Sequence, residues 1–149
     1  MITLVEFLLA RLDEDARKAR AAETGRRWEA LTRADSGPQV RVGDGDMDDP
    51  GPEWRREVVH PMWHCDDELD GCPDVARGWI AEAEHIARHD PAWVLAEVAA
   101  KRRIVRLCEA GIDPKAPATP GVRAGYRAIL GYLALPYAEH PDYQEEWKP

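Results

Sequence analysis

The stretch Ala83–Arg103, AEHIARHDPAWVLAEVAAKRR, decides how the chain is organised. His85 and His89 stand four residues apart, and Asp90-Pro91 follows at once. A residue before proline is steered away from the helical region. A helix carrying Trp79, Ile80, Ala83, Ile86 and Ala87 on one face must therefore stop at His89. Asp90 then offers a side-chain cap, and Pro91 takes the first-turn position, where a missing N–H is harmless. The helix that starts there carries Val94, Leu95, Val98, Ile104, Val105, Leu107 and Cys108, and Gly111 is its stop signal. The stretch reads first as a joint between two helices, and second as half of a metal site.

Working outward, Asp74 is a cap for the helix before the joint. Upstream, Ile2, Val5, Leu9 and Leu12 fall at spacings of three and four, and Ala16 and Ala19 continue the stripe. A helix over about 2–22 follows, ended by Thr24-Gly25. Between them lie RRWEALTR (26–33), QVRV (39–42) and WRREVV (54–59), short β-prone pieces separated by Gly, Pro and Asp clusters. They predict a small antiparallel meander that needs helices on one face, because three short strands alone are barely stable. HPMWHCDDELDGCPD (60–74) reads as an irregular loop. Downstream, IDPKAPATPG is a linker, and Val122, Tyr126, Ile129 and Leu133 predict a helix from about Pro120 to Leu135-Pro136. Pro141 opens a further short helix, and Tyr137, Tyr143 and Trp147 are expected to dock on the helical centre.

The expected fold is therefore α+β: a small antiparallel β-meander packed on a bundle of about four helices. It forms a single domain over 1–149, with an N-terminal helix (1–24), the meander (26–61) and a helical part (74–149). A chain of 149 residues is long enough for one real core and short for two. With 44% apolar and 32% charged residues, the composition is that of a soluble globular protein. No apolar run approaches the roughly 20 residues that span a bilayer, so no membrane role is expected. The start lacks the pattern of a secretory signal. Cys65, Cys72 and Cys108 form no disulfide framework, which points to a reduced, cytoplasmic protein. A net charge of −8, from 28 acidic and 20 basic residues, argues against sequence-independent nucleic-acid binding. It leaves open the reverse role, an acidic protein in a partner's basic groove.

Five sets of residues could carry chemistry. Cys65, Cys72, His85 and His89 would make a tetrahedral zinc site, with His60 and His64 close in sequence. The two histidines sit about 40° apart around a helix, within reach of one ion. Against this, Cys-x6-Cys is not a zinc knuckle, and a histidine in a last helical turn is already served by the free carbonyls there. Asp44, Asp46 and Asp48 begin like a calcium loop, but Asp49 stands where the turn glycine belongs and Arg55 where the bidentate glutamate belongs. Arg88, Lys101, Arg102, Arg103 and Arg106 could face an acidic surface, or simply solvent. A Cys65–His85 pair, or Asp142 with His140 or His89, is the most that can be said for catalysis; no nucleophile elbow, phosphate loop or zincin motif is present. Trp28, Trp54 and Trp63 lie in the polar, β-prone part, where a small sheet cannot cover them all.

Three pieces carry a resemblance: FLLARLDEDARKARAA, AEHIARHDPAWVLAEVAAKRRIV and LALPYAEHPDYQEEW. Together they resemble a family of small proteins from actinobacteria and their phages, domain of unknown function 6221. The resemblance implies relationship and no particular activity. A looser similarity joins the first half to phage proteins with a Pro-Gly-Pro-Trp turn, to which only Thr24, Gly25 and Trp28 of TGRRWE correspond. Many relatives resemble metal-binding modules before the last helix, through a Cys-x-x-Cys-Gly and a further Cys; this chain has only Cys108 there.

The functional expectation is a non-enzymatic protein-binding or regulatory module acting through an unidentified protein partner, with a homodimer as one form. The contact residues would be Trp28, Trp54, Trp63, Lys101, Arg102 and Arg103. No cofactor is expected, and zinc is the one candidate. A zinc-stabilised module is the alternative, and a small hydrolase or nuclease-like enzyme the third reading.

Overall fold

The computed structural model describes residues 2–22, 28–33, 37–42, 56–59 and 73–149. The elements run α1 (Leu4–Ala22), β1 (Trp28–Arg33), β2 (Gly37–Val42), β3 (Arg56–Val59), α2 (Pro73–Arg88), α3 (Pro91–Ile112) and α4 (Pro120–Ala134). Short 3-10 turns follow at Leu135–Tyr137 and Glu145–Trp147. Contacts divide the chain into two compact units, one made of Met1–Ala21 with Val94–Pro149, the other of Ala22–Trp93.

The expected α+β fold is overturned: the protein is helical. Four helices of 19, 16, 22 and 15 residues outweigh strands of 6, 6 and 4. The core of the first unit is built from Phe7, Leu8, Leu12 and Ala16 of α1, Val98, Val105 and Cys108 of α3, Leu130 and Ala134 of α4, and Trp147. The physical reason is the chain's C-terminal segment. Tyr137, Tyr143 and Trp147 gather around Phe7 and close this core, the docking expected of them. The Phe7 and Trp147 rings lie 4.9 Å apart, and Tyr137 and Tyr143 meet Phe7 edge-on. Aromatic edge contacts of this kind add to simple burial.

Local chemistry sets the helix ends. Thr3 and Glu6 form a reciprocal capping box: the Thr3 hydroxyl accepts from the Glu6 N–H at 3.2 Å, and the Glu6 carboxylate accepts from the Thr3 N–H at 2.8 Å. These bonds hold the Glu6 carboxyl below its ordinary pKa. Thr119 caps α4, with Pro120 in its first turn. Pro141 opens no helix; the tail turns there and forms only the 3-10 turn Glu145–Trp147. At Gly131 the tail runs close against α4. A Cβ there would stand 2.6 Å from the Trp147 carbonyl oxygen, a backbone atom with little room to yield.

In the second unit, the three strands are antiparallel in the order β1-β2-β3, with Trp28 opposite Val42 and an irregular register between Val40 and Arg41. Their helix is α2, which packs on β1 and β2. Val40 and Ala83 are buried there.

Candidate functional site

The joint that the sequence predicts is present. α2 ends at Arg88, and the His89 N–H is shared between the carbonyls of His85 and Ile86, both at 3.2 Å. Asp90 Oδ1 accepts from the Trp93 N–H at 2.7 Å, the expected cap of α3. The His85 and His89 rings lie 4.3 Å apart. His89 Nδ1–H donates to the His85 carbonyl at 2.8 Å, which leaves the lone pair on Nε2. Trp93 meets the His89 ring edge-on at 4.5 Å.

Of the four zinc candidates, His85 and His89 are thus neighbours. Cys65 and Cys72 lie outside the described residues, as do His60, His64, Trp54, Trp63 and the Asp44–Asp48 loop. Among the described residues, no group of three or more His, Cys, Asp or Glu could hold a metal ion. Cys108 is a buried core thiol, and burial raises its pKa, away from the reactive thiolate.

Around the joint opens a cleft of about 570 Å³. β1 contributes Trp28, α2 contributes Glu84 and Arg88 one turn apart, and the start of α3 contributes Asp90 and Trp93. Trp28 is half-buried, and its indole N–H finds no acceptor among the described residues. Trp93 is 41% exposed, large for an indole on a folded surface. Charge is divided unevenly along the sequence. Residues 22–93 hold 17 acidic and 8 basic side chains, a net charge of −9, while residues 1–21 and 94–149 hold 11 acidic and 12 basic, a net charge of +1. The whole acidic excess of the chain belongs to the unit that carries the cleft.

The basic residues of α3 are in part paired. Lys101 pairs with Glu97 at 3.0 Å along α3. Arg102 pairs with Asp13 of α1 and reaches the Leu12 carbonyl at 3.5 Å. Arg103 and Arg106 are exposed, and Arg88 lines the cleft.

One cluster escapes sequence reasoning. Tyr137 donates its hydroxyl proton to Asp15 Oδ2 at 2.5 Å. Burial first, and that bond second, hold the phenol proton far more tightly than usual. Arg11 donates to His140 Nε2, pairs with Glu14 at 3.3 Å and lies 5.7 Å over the Phe7 ring. The Asp142 N–H donates to His140 Nδ1 at 3.1 Å, and the Asp142 carboxylate lies 3.8 Å from the same nitrogen. His140 and Asp142, the pair considered for catalysis, thus belong to a clamp that ties the tail to α1. The signal was available: Phe7, Arg11 and Asp15 follow each other at four-residue spacing beside Leu8, Leu12 and Ala16. The clamp orients the tail.

No helix among the described residues is long and apolar enough to cross a membrane. Neither the curated proteins nor the solved structures contain a match to the chain. The family comparison agrees with the three quoted pieces: the model of DUF6221, a family of unknown function, matches residues 1–149, and the chain belongs to that family.

Proposed function

We propose that the protein is a non-enzymatic binding module that acts through protein–protein contact, with the cleft walled by Trp28 and Trp93 as its contact surface. The observation that carries this reading is the exposure of Trp93, 41%, in the lining of a cleft that holds a second tryptophan. Tryptophans dominate the binding energy of many interfaces because a large rigid ring loses little entropy on docking. Covering the open part of one indole, on the order of 100 Å², contributes about 2.5 kcal/mol. The test is selection of a displayed random-peptide library on the purified protein. Peptides should be retained by the wild type and lost on Trp93→Ala, whose fold is checked by circular dichroism. Equal retention by both proteins ends the reading.

A zinc-stabilised module is the second reading, favoured by the ring spacing at the joint. His89 donates Nδ1–H to a backbone carbonyl and keeps Nε2 for a ligand, the arrangement seen in metal-bound histidines. Elemental analysis of protein purified without a histidine tag decides it. About one zinc per chain, lost in Cys72→Ala and in His89→Ala, supports the site. A wild type without metal removes it.

A further inference from the structure

We infer that the segment seated in the cleft is basic, a Lys- or Arg-bearing stretch of another protein, with a cationic side chain recognised by the Trp93 indole and the carboxylates of Glu84 and Asp90. The inference rests on the reading of the cleft as a contact surface, and adds the chemistry of the partner.

Two independent observations carry it. The first is the division of charge, −9 in residues 22–93 against +1 in the rest. A field of one sign steers partners of the other sign and repels its own. The second is the cleft's lining. Indole faces attract cations, guanidinium groups above all, and carboxylates add charge-assisted hydrogen bonds. An acidic segment would find one cation among the described lining residues, Arg88, set between two carboxylates. A purely apolar segment would strip water from Glu84 and Asp90 without replacing it, which is unfavourable. A basic segment satisfies both carboxylates and covers the indole. Arg88 is then the residue that works against the ligand, and this gives the test an opposite sign.

The experiment uses the full chain and the same random-peptide library, followed by affinity measurements on one synthetic peptide from the retained pool. Retained peptides should be enriched in Arg and Lys. Glu84→Gln and Asp90→Asn should each weaken binding about threefold, as expected for charges at an interface rim. Asparagine caps a helix as well as aspartate does, so Asp90→Asn tests charge without loss of the cap. Arg88→Gln should leave binding unchanged or tighten it about twofold. Trp93→Ala should weaken it about thirtyfold, the effect of losing a central anchor. Affinity should fall several-fold as salt shortens the screening length from about 30 to about 8 Å.

Retained peptides that are acidic or apolar, with affinities indifferent to Glu84→Gln and Asp90→Asn, overturn the inference while the contact-surface reading stands. Weaker binding by Arg88→Gln also overturns it. A library retained no better by the wild type than by Trp93→Ala removes the contact surface itself, and the inference with it.

Discussion

Residues 1–21 and 94–149 use their charges internally, whereas residues 22–93 carry an excess that has no counterpart within the same unit. In the helical unit, 12 basic residues nearly balance 11 acidic ones, and Arg102–Asp13, Lys101–Glu97 and Lys18–Glu14 are joined as pairs. Tyr137, Tyr143 and Trp147 gather inward around Phe7, while Tyr132 stands 63% exposed. In the other unit, the net charge is −9, and Trp93 stands open at the helix joint. A neutral, ring-filled unit has the properties of a scaffold. A charged unit with an open indole has the properties of a surface that meets something else.

Substitutions in the helical unit can break this division of labour. The largest effect is expected from Phe7→Ala. Phe7 is 1% exposed and touches four rings, so its loss should cost about 3–5 kcal/mol in denaturant unfolding. Peptide retention by the cleft under native conditions should stay unchanged. A Phe7→Ala protein that stays stable would deny the helical unit its scaffold role. Gly131→Ala comes next, at about 1–3 kcal/mol, because the new methyl meets the Trp147 backbone. Thermal melting measures it, and an unshifted melting temperature would mean that the tail packs elsewhere.

The smallest effect sharpens the comparison through pH. Tyr137 keeps its proton more tightly in the folded state than in the unfolded chain, whose phenol titrates near the ordinary value of about 10. Below that pH both states are protonated and the contribution is constant. Above it the unfolded chain loses the proton first, so stability falls as pH rises. Tyr137→Phe should lower stability by about 1 kcal/mol at neutral pH, for one lost hydrogen bond. It should also flatten the decline above pH 10. Parallel urea-melt profiles of the two proteins across that range would refute the Asp15–Tyr137 bond.

What the sequence revealed was local. The Asp90 cap, the end of α2 at the joint and the start of α4 depend on residues within one turn of each other. What it concealed depends on distant partners. The stripe read on α1 ran through Ile2, Val5, Leu9, Leu12, Ala16 and Ala19; Leu12, Ala16 and Ala19 are buried, yet Ile2 is 37% exposed and the buried Phe7 and Leu8 lie outside it. Periodicity marks a helix face, but the neighbour decides which side of it is covered, and here the neighbour is the tail. For the same reason, Arg102 read as free basic surface although Asp13, 89 positions away, takes its charge. The tail clamp spans 122 and 129 positions, so its α1 half shows as the four-residue spacing of Phe7, Arg11 and Asp15 while the pairing with Tyr137 and His140 does not.

The contact between Phe7 and Trp147 also has a consequence in time. The two rings are separated by 140 positions of chain. At roughly 5–20 residues per second, a ribosome that has just made Phe7 needs roughly 7–28 s to deliver its partner. For that interval α1 presents Phe7, Leu8 and Leu12 with no tail to cover them. The helical unit is therefore assembled late, after residues 22–93 have emerged, and the nascent α1 is the part of this protein that a chaperone has most reason to hold.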